Sequence, residues 1–142
     1  MKNYQHTQPA RTIVIVLSAI GLVFTVGGIF CYQLILGTLA LFIVGYFFRS
    51  MTIKISDSEL TWHFGSGFER KTVSMGEVIS AEVVRRVWNR WGIHYTPQGW
   101  LYNVSGTGAV CVTLRNGKRF YLGTDEPEVL AGRLAEQLGN EL

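Results

Sequence analysis

The chain has 142 residues, 48% of them hydrophobic and only 16% charged, with a formal net charge of +3. That length leaves room for one domain, with about 90 residues for a water-facing body once the first 50 are given to a membrane. Residues 1–49 hold Lys2, Arg11 and Arg49 without an acid, so they carry the whole excess, while residues 50–142 hold ten bases and ten acids and sum to zero. A neutral body is not a general polyanion binder, so the basic balance reports on membrane topology and not on nucleic acid.

Residues 12–48 are 37 consecutive positions without Asp, Glu, Lys, Arg or His. As helix this run would reach roughly 55 Å, too long for one crossing of a hydrocarbon layer about 30 Å thick and suited to two. A soluble helix needs a polar face, and this run has none. The expectation is a two-helix transmembrane hairpin within residues 1–50, with spans at about 13–30 and 34–48 and a turn at Phe30, Cys31, Tyr32 and Gln33. A secretory signal is disfavoured because the run meets no small-residue cleavage site. Lys2, Arg11, Arg49 and Lys54 flank the outer ends and the turn is uncharged, so the positive-inside rule places both termini in the cytoplasm. Gly21, Gly27, Gly28, Gly37 and Gly45 are close-packing positions between the two helices rather than signs of a pore.

Past Arg49 the pattern changes to alternation. Ile53 and Ile55, then Leu60, Trp62 and Phe64, then residues 68–74 predict three antiparallel strands in succession, followed by a strand over 81–87. Residues 100–104, 109–114 and 119–122 predict three more, the last two joined through Asn116-Gly117 as a tight hairpin. The final segment is an amphipathic helix capped by Thr124 or Asp125, with Pro127 in its first turn, a buried stripe of Val129, Leu130, Leu134 and Leu138, and Gly139 at its end. Cys31 and Cys111 have no framework for a disulfide and read as unpaired thiols.

The order of two membrane spans, strands, Gly-Ile-His-Tyr at 92–95, Gly-Trp-Leu-Tyr at 99–102, Ala-Val-Cys-Val-Thr-Leu at 109–114, Asn-Gly, and Leu-Gly-Thr-Asp-Glu-Pro at 122–127 before a helix resembles the bacterial pleckstrin-homology-like (PH-like) domains of small membrane-anchored proteins. The resemblance covers about residues 51–138. It implies a seven-stranded antiparallel sandwich or barrel, within residues 51–142, capped by the C-terminal helix. Family members often carry a base where His94 stands. Eukaryotic relatives bind inositol phosphates through bases in the first strand-to-strand loop, but here that loop is Ser56-Asp57-Ser58-Glu59, whose two acids repel such a ligand.

Arg85, Arg86, Trp88, Arg90 and Trp91 form the candidate functional surface, with Tyr95, Trp100 and Tyr102 following closely. Arg and Trp together suit the lipid headgroup layer. The competing reading buries the Trp residues in the β core and leaves the Arg residues on a solvated strand. Stacking on single-stranded nucleic acid fits poorly with a neutral domain tied to a membrane. No catalytic motif is present, and His63 and His94 lack metal-ligand spacing, so no metal or cofactor is expected. The reading is a non-enzymatic binding or assembly module on the cytoplasmic face of the inner membrane, in contact with lipids and with a protein partner or further copies of itself. The alternative is a small accessory enzyme acting on lipid or envelope precursors.

Overall fold

The computed structural model describes residues 3–28, 32–85, 92–104 and 108–140. The chain opens with strand β1 (Tyr4–Pro9) and continues into helices α1 (Arg11–Gly28) and α2 (Tyr32–Phe47). Strands β2 (Ser50–Ile55), β3 (Glu59–Phe64) and β4 (Phe68–Ser74) follow, then a single 3-10 turn at Met75–Glu77. Strands β5 (Val78–Val84), β6 (Gly92–Thr96), β7 (Gly99–Asn103), β8 (Gly108–Leu114) and β9 (Arg119–Thr124) lead to helix α3 (Pro127–Asn140).

Two sheets carry these strands. The first runs β1-β2-β3-β4, antiparallel throughout, and the second runs β5-β8-β9-β7-β6 with one parallel pair, β7 beside β9. The three-strand meander from β2 to β4 follows the predicted alternation, because Met51, Ile53 and Ile55 on β2 and Leu60, Trp62 and Phe64 on β3 all turn inward. Against them the second sheet presents Val110, Val112, Phe120 and Leu122. Trp62 joins the layers, stacked on Phe120 at 4.8 Å between ring centroids and edge-on to Tyr102 at 5.2 Å. Among the described residues eight strands follow the helices, where seven were expected, and β1 before them makes nine.

The additional N-terminal strand, which the residue pattern did not suggest, has a polar inward face. Gln8 is only 1% exposed, and its amide donates to the Gly123 carbonyl at 2.9 Å while its Oε1 accepts from the Asp125 N–H at 2.9 Å. A buried amide with both ends satisfied replaces the apolar residue that would have marked a strand.

Helix α3 buries Leu130 and Leu134 completely and Leu138 in part. Val129, expected in that stripe, is 47% exposed, and the helix runs past Gly139 to Asn140. The Thr124 hydroxyl accepts from the Glu126 N–H at 3.2 Å, which holds the entry to the helix. In the β8-β9 turn only Gly117 takes a positive φ, 83°, with the Gly117 N–H bonded to the Leu114 carbonyl at 3.0 Å. Asn116 keeps a negative φ and accepts from the Lys118 N–H at 2.9 Å, so the connection is a wider turn closed by one left-handed glycine.

Helix α1 is long and apolar enough to cross a membrane, and α2 is a shorter apolar helix of 16 residues. They pack on each other through small residues: a Cβ added at Gly27 would meet Leu34 at 2.8 Å, and one at Gly28 would meet Ile35 at 2.9 Å. Gly37 faces Phe24 and Gly45 faces Leu17 in the same way. Their outward residues, among them Ile15, Leu22, Val23 and Phe42, are exposed and give the pair an extended apolar face.

Candidate functional site at the hairpin base

Antiparallel pairing of β1 with β2, from Tyr4 opposite Ile55 to Pro9 opposite Ser50, brings the two ends of the helical pair together. The Ala10 N–H then donates to the Arg49 carbonyl at 2.7 Å, and Ala10 and Ile13 join the core of the β body. Phe48 tilts against Phe64 at 5.1 Å and meets Phe68 edge-on at 5.6 Å, while Phe47 packs on Phe68 at 4.8 Å. Gly65, at φ 51°, lets the β3-β4 turn approach so closely that a Cβ there would lie 2.8 Å from the Phe47 carbonyl oxygen. Helices and sheet therefore meet through an aromatic collar rather than a free linker.

One end of the second sheet lies beside this collar. A Cβ added at Gly92 would stand 4.0 Å from the Phe48 ring. Gly92 pairs with Asn103, Val84 with Ala109, and Gly108 with Thr124, so Arg85 and the start of α3 belong to the same end. Arg86, Trp88, Arg90 and Trp91 lie outside the described residues. What is described are the two residues that bracket them, Arg85 and Gly92, and both sit at the end of the body nearest the helices.

Arg85 is well exposed and has a loose ion pair with Glu128 at 3.8 Å, a contact between two solvated side chains worth little on its own. Further acids crowd the start of α3. His6 Nε2 lies 2.7 Å from Asp125 and its Nδ1 3.1 Å from Glu126, and the Tyr4 hydroxyl donates to Glu126 at 2.5 Å. Burial first, then the hydrogen bond and negative charge of Glu126, push the Tyr4 hydroxyl far above its ordinary range. This cluster fastens β1 to α3 and sets negative charge beside the Arg85 end.

The remaining aromatic residues separate. Tyr102 is buried in the core, whereas Tyr95 and Trp100 pair across β6 and β7 as an exposed edge-to-face couple at 5.2 Å near the opposite tip of that hairpin. Cys111 is buried on β8 as a free thiol. Burial, followed by the neighbouring Cys111, raises the Tyr121 hydroxyl. No group of His, Cys, Asp and Glu among the described residues is arranged to hold a metal ion.

The hairpin-base arrangement escaped sequence reading because it depends on pairing between residues more than 40 positions apart. Only the bases at Arg11 and Arg49 hinted that both chain ends return to one place. No protein-family model matches the chain, and no curated protein matches it.

Proposed function

We propose that this chain is a membrane-anchored module: α1 and α2 form a two-pass hairpin in the cytoplasmic membrane, and the β body, of PH-like type, sits on the cytoplasmic face as a non-enzymatic binding or assembly platform. The supporting observation is the β1-β2 ladder, which closes both ends of an outwardly apolar helical pair onto one edge of the body. Two helices whose outer ends are hydrogen-bonded to each other must leave and re-enter the membrane on one side. At 18 and 16 residues they span about 27 and 24 Å, short enough to call for little tilt or a thinned bilayer. Net positive charge at Arg11 and Arg49 sets that side as cytoplasmic.

Arg85 and Gly92, which bracket the candidate surface, then face the headgroup layer, and the bases and Trp residues in the sequence between them suit contact with lipid or a membrane-bound partner. Membrane fractionation of the full chain tests the anchor. Retention in alkaline-washed membranes is expected, and release of the chain into the wash contradicts it.

A further inference from the structure

The helical pair carries a groove of about 430 Å³ at its base, lined by Val14, Leu17, Phe42, Gly45, Tyr46 and Arg49. Its volume falls in the range of about 300–1,000 Å³ usual for small-molecule sites. Ser18 and Leu41 complete its walls, which are mostly apolar, with Arg49 the one charged residue among them. The Arg49 guanidinium lies 4.7 Å from the Tyr46 ring centroid, and among the described residues no carboxylate stands within ion-pair distance of it. Arg11 follows Ala10, whose N–H is bonded to the Arg49 carbonyl, so a second exposed guanidinium residue starts from the same rim. Phe42 also lines a second, smaller groove of about 260 Å³ with Thr25, Ile35, Thr38 and Leu39, further along the helical pair.

A mostly apolar groove on a membrane helix pair, with a positive charge that no carboxylate among the described residues pairs where the headgroup layer begins, has the charge and polarity profile of one phospholipid. We infer that this groove holds an acyl chain of an anionic phospholipid whose phosphate is bound by Arg49, with Arg11 at the rim. A zwitterionic lipid fills the channel equally well but offers the guanidinium no net charge. The site rests on the membrane-anchored reading above, and it gives the module a headgroup preference built into its anchor rather than into the β body.

Native mass spectrometry of the full chain released from detergent, with equal amounts of phosphatidylglycerol and phosphatidylcholine of identical acyl chains, tests it. The parent is expected to retain phosphatidylglycerol over phosphatidylcholine by roughly fivefold, the effect of one interfacial base. Arg49→Gln should equalise the two, Arg49→Lys should keep part of the preference, and Val14→Trp should lower retention of both lipids by filling the channel. Glycerol 3-phosphate, the soluble headgroup, should not be retained, since the channel supplies half of the site. Equal retention of both lipids by the parent overturns the inference, as does an undiminished preference in Arg49→Gln or retention of glycerol 3-phosphate as strong as that of the lipid. If the same chain stays in alkaline-washed membranes while showing no headgroup preference, only the lipid site fails; release from the membranes removes the anchor itself.

Discussion

Ala10 and Arg49, 39 positions apart, are joined by a backbone hydrogen bond of 2.7 Å that closes the chain around the whole helical pair. This bond continues the β1-β2 ladder by one step and makes the apolar helices an insertion into the edge of a sheet. The body therefore owns residues on both sides of the helical pair.

Joining residues 4–9 directly to residue 50 through Asn-Gly should give a more stable body than residues 50–140 alone. The added strand pairs with β2 along six positions and supplies Gln8 to the Gly123 carbonyl and the Asp125 N–H. Urea unfolding followed by Trp fluorescence should place the midpoint of the joined version clearly higher. Coincident midpoints would mean β1 adds nothing to the fold.

In the full chain, Gln8→Leu should cost about 2–4 kcal/mol, because it removes two buried hydrogen bonds and leaves a carbonyl and an N–H without partners. Thr7→Ala, which loses only a half-buried hydroxyl pair with Thr52 at 2.8 Å, should cost about 1 kcal/mol or less. Denaturant titration of the three proteins in the same detergent checks the order.

The seam of α3 makes a sharper contrast. Leu134→Asp places a charge at a fully buried position and should destabilise by several kcal/mol, on the order of 3–5. Val129→Asp, at a half-exposed position of the same helix, should stay within about 0.5 kcal/mol of the parent. Thermal melts by circular dichroism distinguish them, and similar melts for parent and Leu134→Asp would show that the helix is not packed as described.

Tyr4 gives a pH dependence of definite sign. Its hydroxyl is held protonated in the fold above its ordinary value of 10.0, so the folded chain binds that proton more tightly than the unfolded chain does. The stability it contributes is complete below pH 10 and falls as the pH rises beyond it. The stability advantage of the parent over Tyr4→Phe, from a hydrogen bond worth about 1 kcal/mol, should therefore be constant at neutral pH and shrink above pH 10. An advantage that grows with alkalinity would contradict the Tyr4-Glu126 contact.

The regular parts of the fold were legible where side chains alternate over short distances. Ile53, Ile55, Leu60 and Trp62 announce β2 and β3, and Gly117 marks the β8-β9 turn, because each signal lies within one element and its neighbour. Strand β1 was not legible, since Tyr4-Gln5-His6-Thr7-Gln8-Pro9 buries an amide instead of an aliphatic side chain, and its partner lies across the apolar run. The parallel contact of β7 with β9 was hidden for the same reason, pairing strands that are not successive. Val129 was misplaced because helical periodicity alone does not say how wide a stripe the sheet covers. Of the candidate surface, Arg85 is placed near the hairpin base, where the acids of α3 also gather, an arrangement no local pattern announces.

Sidedness of the helical pair decides whether the chain crosses the membrane twice. In a background with Cys31→Ser and Cys111→Ser, single Gln33→Cys and Ser56→Cys versions of the full chain are treated on intact cells with a membrane-impermeant thiol reagent. Position 33, at the start of α2, should be labelled, and position 56 should stay unlabelled until the membrane is opened. Labelling of position 56 from outside, or of neither position before permeabilisation and both after it, would contradict a hairpin that crosses the membrane twice and returns to the body it left.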